Sequence, residues 1–308
     1  MFNLLRADLW RLFNTSRLRG QFWSYLVCGI LVGLFVFGLL AFVNSDGYAE
    51  LAASVDAEPA TDDTGAAVSA LPVTSMLANA FVSGGFFSLM CSFCAAEFTL
   101  SDLKADYLKN IVSSTRGKLA YFAEKLVFCS IMCAVLLAVI SISCLLCAFA
   151  FRLAPTGEPL WRIVGWLVLT WLNGCAFAVL TVVAVWAVRG PALSYIWAII
   201  LSTGMLREFI MGLAYSSGGA LRILQPIAPA LKTAASWMPS TATQLLSQGS
   251  AVFDMPMAVE GFSIFDATIA ADASIPFGAD VQVLIINVIW IVAASALALA
   301  VARKKDVA

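Results

Sequence analysis

The chain contains no histidine, and only 12% of its 308 residues are charged. Without imidazole, Ser-His dyads, HExxH metalloprotease chemistry, haem ligation by histidine and ordinary zinc catalysis are excluded. A near balance of 18 basic against 19 acidic residues excludes the basic excess of a nucleic-acid binder. No GxxxxGK[ST] run occurs, so the sequence carries no P-loop for ATP. Paired carboxylates at helical spacing within an apolar run are missing too. No catalytic residue, metal ligand or resident cofactor is therefore assigned. What is abundant is apolar: 61% hydrophobic residues and a mean hydropathy of +0.92 describe an all-α integral membrane protein.

A membrane helix needs about 20 mostly apolar residues. Six stretches meet that length: roughly 22–43, 74–96, 126–151, 163–188, 192–214 and 281–302. With the N-terminus in the cytoplasm, thirteen of the 18 basic residues fall on inner segments, from Arg6 and Arg11 through Lys104 to Lys125 and on to Arg303 and Lys304. This positive-inside bias predicts a cytoplasmic-membrane protein with both termini inside. The eight cysteines (Cys28, Cys91, Cys94, Cys129, Cys133, Cys144, Cys147 and Cys175) all lie in apolar runs. Two pairs have CxxC spacing, but the polar, accessible setting that stabilises a thiolate is lacking, so they read as packing residues.

Outside the spans, the first 21 residues predict a basic amphipathic helix on the inner interface, against membrane lipids. Phe2, Leu5, Leu9, Leu12 and Phe13 lie on one side, and Arg6, Asp8, Arg11, Asn14 and Arg17 on the other. Residues 44–73 read as an acidic external loop, and 189–191 as a tight inner turn. The outer segment 215–279 is broken by prolines into short apolar pieces, 221–231 and 237–246, that suit re-entrant or interfacial helices. Between spans two and three, 97–125 predicts a short cytoplasmic helix capped by Ser101. Its apolar stripe is Leu100, Leu103, Tyr107 and Ile111, widened by Leu108, with Lys104, Asp106 and Lys109 opposite. The run Ser113 to Gly117 ends it, and the chain returns through Tyr121 and Lys125. Such a helix lies flat on the membrane or inserts into a partner's groove.

Polar residues within spans are costly to face to lipid. Asn79, Ser83, Ser88, Asn173 and Asn287 are therefore expected to make helix–helix hydrogen bonds or, for Asn79, Ser83, Asn173 and Asn287, to line a substrate path. Gly84 and Gly85 suit close helix approach better than a binding loop. Arg207 and Glu208 read as an interfacial pair near the outer surface in preference to a pore-facing one. Trp171 and Trp290 sit mid-span and require partners for their indole N–H groups.

Laid out in this order, the chain resembles the membrane-spanning permeases of the type-2 ABC exporter family, which includes bacteriocin-immunity and antibiotic-export permeases. The likeness rests on the basic N-terminal helix (Leu4-Leu5-Arg6-Ala7-Asp8-Leu9-Trp10-Arg11-Leu12), the six spans and the long outer segment. It also rests on one motif: Glu97, then Lys109-Asn110-Ile111-Val112, Ser113-Ser114-Thr115-Arg116, Tyr121 and Lys125. The family's glycine before the Lys-Asn pair is replaced by Ala105 and Asp106. The resemblance implies that the helix near 101–113 is a coupling helix. Leu100, Leu103, Lys104, Tyr107, Leu108, Lys109, Asn110, Ile111 and Arg116 would then meet a separate ABC ATP-binding subunit. It also implies that ATP and magnesium sit on that partner, and that six spans are half of a transporter completed by a second permease copy or paralogue. Transport uncoupled from ATP, by a secondary transporter or channel, is the competing expectation.

Overall fold

The computed structural model describes residues 2–14, 16–43, 71–104, 115–153, 156–188, 190–216, 222–257 and 277–304. Among them the regular elements are helical, with two isolated bridges, Pro72 to Thr156 and Pro256 to Gly278, and no strand. Helices α1 (Phe2–Asn14) and α2 (Ser16–Val43) open the chain. Next comes an irregular stretch: α3 (Val73–Leu77), a π-helical turn (Ala78–Val82) and a 3-10 turn (Ser83–Gly85), continuing into α4 (Phe86–Lys104). Helices α5 (Thr115–Ala150), α6 (Leu160–Val188), α7 (Pro191–Ser202) and α8 (Met205–Ser216) follow. Then come a 3-10 turn (Arg222–Ile227), α9 (Ala228–Ser236), α10 (Pro239–Leu246), a second 3-10 turn (Gly249–Phe253) and α11 (Ala279–Lys304).

Among the described residues five helical stretches are long and apolar enough to cross a membrane: Arg19–Val43, Val73–Leu103, Ala123–Ala150, Leu160–Val188 and Ala279–Ala300. The pair α7 and α8, bent by 60°, makes a sixth if counted as one broken span. Each of the six expected stretches falls on one of these. Large apolar side chains lie bare along α2, α5 and α11: Phe35 is 71% exposed, Phe149 84% and Val292 61%. Water would not tolerate apolar patches of that extent, whereas lipid tails match them, as expected of a multi-pass membrane protein.

Helix α6 runs through the middle, buried on almost every side from Leu169 to Trp186 and packed chiefly on α4 and α11. Gly174 permits this closeness, since a Cβ there would come 2.7 Å from the Phe87 ring. Seven of the eight cysteines are buried and all are free thiols, as packing residues should be. The two mid-span indoles find backbone acceptors: Trp171 Nε1 donates to Ser130 O at 2.9 Å and Trp290 Nε1 to Trp237 O at 2.7 Å. Trp10, Trp23 and Trp161 are exposed, whereas Trp186 is buried edge-on against Tyr121.

Ser101 does not cap a new helix. Helix α4 runs unbroken through it to Lys104, and its hydroxyl donates back to Phe98 O at 2.7 Å. With the preceding turn already helical, no free N–H group is left there to cap. The segments 44–70, 105–114 and 258–276 lie outside the described residues, and with them most of the acidic loop and the centre of the 97–125 segment.

Candidate functional site

Two polar assemblies interrupt the apolar bundle, one at each end. The first gathers where α1, the end of α4 and the start of α5 meet. Asp8, Asp102 and Lys125 are 4%, 1% and 2% exposed. Lys125 Nζ pairs with Asp8 and, at 2.7 Å, with Asp102. Arg11 bridges the same two carboxylates, at 2.8 Å to Asp102 and 3.4 Å to Asp8. Two anions and two cations balance, which is what makes their burial tolerable. Tyr121 donates its hydroxyl to Asp102 at 2.8 Å. Burial, reinforced by the Asp102 carboxylate, pushes the Tyr121 phenol well above its ordinary value, so it remains a donor. Glu124 is buried nearby, and its Oε1 has no hydrogen-bond partner among the described residues. Asp8 and Arg11, expected on the solvated side of α1, are thus turned into the protein. One step further along α4, Glu97 accepts from Gln21 Nε2 at 2.9 Å and from the Tyr195 hydroxyl, drawing α2 and α7 into the same end.

The second assembly lies toward the opposite end, where two helices break face to face. Gly84 and Gly85 take φ of +72° and +74°, a left-handed backbone open to glycine, and end the irregular stretch before α4. Gly204, at φ +76°, separates α7 from α8. The two breaks touch: a Cβ on Gly85 would fall 2.2 Å from the Ser202 carbonyl oxygen. Helix α7 has 12 residues, so at 1.5 Å per residue the break lies about 18 Å from its start, past the middle of a ~30 Å hydrocarbon layer. Irregular backbone at such depth persists only when buried in protein or lining a watery cavity.

A cavity of about 490 Å³ is there. Gly84, Gly85 and Gly204 contribute backbone, Ser75, Ser83, Ser240 and Ser247 hydroxyls, and Asn79, Gln244 and Gln248 amides; among the described residues no charged side chain lines it. Behind it stands a fully engaged asparagine. Asn173 Nδ2 donates to Asn287 Oδ1 at 3.1 Å and to Pro239 O at 3.2 Å, while its Oδ1 accepts from Thr243 at 2.9 Å and Ser88 at 3.3 Å. This one side chain ties α4, α6, α10 and α11 together, and Thr243 carries the network to the cavity wall. Next to Ser75 in the chain, Thr74 enters a knot around Glu158, which accepts from Thr74 N and Oγ1, each at 2.8 Å, and from the Ser250 hydroxyl.

Of the expected path residues, Asn79 and Ser83 line the cavity, whereas Asn173 and Asn287 form the network behind it. Gly85 permits the close helix approach that was expected, and the same pair of glycines also shapes the cavity wall. Arg207 is buried at 2% exposure, donating to Thr241 Oγ1 at 3.1 Å and paired with Glu208, whose side chain is 60% exposed. Of this pair, expected near the outer surface, Glu208 is exposed and Arg207 is covered. Helix α9 and the turn into α10 pack over α8 and cover the arginine. On the segment expected to meet a partner, Leu100 is buried against Ala96 and Val185, and Leu103 is half-buried beside it. The backbones of Lys104 and Arg116 end α4 and begin α5; Tyr107, Leu108, Lys109, Asn110 and Ile111 lie outside the described residues. The knot at Glu158 and the ion cluster were not anticipated, although the lone Asp8 on a basic helix was a visible signal. No protein-family model and no curated protein matches the chain.

Proposed function

We propose that this chain is the membrane-spanning permease subunit of an ATP-driven ABC transporter, an exporter in the cytoplasmic membrane with both termini inside. A separate ATP-binding subunit supplies the energy, and a second permease copy or paralogue completes the path. The observation that carries the reading is the buried ion cluster. Asp102 lies in the last turn of α4 and Lys125 near the start of α5, so the two flanks of residues 105–114 are held together and bolted to α1. A push delivered to that segment by a partner reaches α4 without being lost in a flexible joint. Helix α4 then runs 19 residues, about 28 Å, straight to Gly85 at the edge of the polar cavity. The route joins an energy-receiving end to a solute-facing end through one rigid element.

In this mechanism ATP closes two partner subunits, which displace the 97–125 segments and, through α4, rearrange the facing breaks at Gly85 and Ser202. The test is co-purification. Tyr107→Asp places a charge on the apolar stripe of the 97–125 segment. It should abolish recovery of the ATP-binding subunit while the permease still inserts; undiminished recovery would overturn the coupling role. Orientation is checked in the same cells. Thr61→Cys should react with an impermeant thiol reagent from outside and Thr115→Cys should not, and the opposite pattern overturns it.

A second reading is favoured by one observation, the pair of facing broken helices, a device also used by transporters that run on ion gradients. Solute movement by reconstituted permease lacking any ATP-binding subunit would decide for it.

A further inference from the structure

We infer that the cavity between the two helix breaks binds an uncharged, polyhydroxylated solute, a ligand of the carbohydrate class. The cavity's volume, about 490 Å³, lies within the ~300–1,000 Å³ of small-molecule sites. Its chemistry is restrictive. Among the described residues no charged side chain lines it, so an ionic ligand would shed water and find no counter-charge there. A short free peptide, with charged termini, meets the same penalty.

An apolar ligand fails for the opposite reason. Among the described residues, no hydrogen bond occupies the side chains of Ser75, Asn79, Ser83, Ser240 or Gln248. Gln244 Oε1 is buried with no hydrogen-bond partner. Filling the cavity with hydrocarbon would strand these groups at about 1–3 kcal/mol each. Hydroxyls and amides both donate and accept, and a Gln oxygen only accepts, so the complementary ligand offers many O–H groups that do either. Neighbouring Thr203 and Ser247 are already spent on backbone carbonyls, which leaves the six free groups as the recognising set.

The inference rests on the transport reading for its purpose, but binding itself needs no ATP-binding partner and is tested without one. The purified chain is placed in nanodiscs free of glycolipid and of glycoside detergent, both of which would compete. Sucrose binding is measured by equilibrium dialysis, with glucuronate as the charged counterpart. Saturable sucrose binding is expected, with glucuronate at least tenfold weaker. Gln244→Leu and Asn79→Ala should each weaken sucrose by about three- to tenfold. The Asn79 side chain is exposed, so its variant tests the site even if Gln244→Leu fails to fold. Absence of saturable sucrose binding, glucuronate bound equally well, or wild-type affinity in the folded variants would each overturn the inference. Co-purification with an ATP-binding subunit is scored separately: success there with failure here refutes the ligand class alone, and the reverse refutes the ATP coupling alone.

Discussion

Replacing Lys125 with methionine removes the most buried cation of the ion cluster while preserving most of its volume. Lys125 is 2% exposed and contacts two carboxylates that are 4% and 1% exposed. Without it, Asp8 and Asp102 share only Arg11, whose side chain is 22% exposed and 3.4 Å from Asp8. One buried negative charge is left uncompensated, with the Glu124 carboxyl close to the same carboxylates. Removing one partner of a buried pair costs about 3–5 kcal/mol. At roughly 2–4 °C per kcal/mol, the unfolding midpoint should fall by about 6–20 °C. A thiol-reactive fluorophore supplies the assay, because seven buried cysteines become reactive only on unfolding; a Cys28→Ser background removes the exposed one. Arg162→Met is the control. Its partner Asp254 is 62% exposed, so that bidentate pair should contribute no more than about 1 kcal/mol. Asp8→Asn combined with Lys125→Met restores neutrality, leaving Asp102 with Arg11 and Tyr121. The double variant should be at least about 1 kcal/mol more stable than the two single losses summed. A Lys125→Met shift no larger than the Arg162→Met shift, or strict additivity in the double variant, would refute the electrostatic account.

The two glycines of the break should respond differently. Gly84→Ala meets open space and incurs only left-handed strain, about 1–2 kcal/mol, whereas Gly85→Ala adds a collision with the Ser202 carbonyl and should prevent stable folding. Detergent-extracted yield and the same thiol assay separate them, and equal behaviour would contradict the facing-break geometry. Asn173→Leu orphans Ser88 and breaks the link to Asn287, so a loss of about 2–4 kcal/mol is expected. Asn287→Leu should cost less, because Asn287 Nδ2 already lacks a partner. A larger loss at Asn287 than at Asn173 would place the centre of the network elsewhere.

Membrane character and the positions of the spans followed from the sequence alone, because the cost of moving residues into lipid adds up along consecutive positions. The same additivity explains why the short apolar pieces 221–231 and 237–246 were recognised as too short to span; they correspond to the 3-10 turn, α9 and α10. Pairing is not additive along the chain. Asp8 meets Lys125 across 117 residues, Arg11 meets Asp102 across 91, and Asn173 meets Asn287 across 114. The lone Asp8 on a basic helix hints that a partner is needed, but no local pattern names the partners; they meet because helices remote in sequence pack side by side and buried polar groups must find partners. The helix breaks illustrate the division. Gly84 and Gly85 were legible as small residues suited to close approach, but their left-handed backbone and the Ser202 carbonyl facing it emerge only in the tertiary structure. The covering of Arg207 likewise depended on α9 folding over α8. Composition therefore determined where this chain resides and which segments cross, and tertiary packing decided which polar groups were consumed in holding the bundle together and which were left free around the cavity.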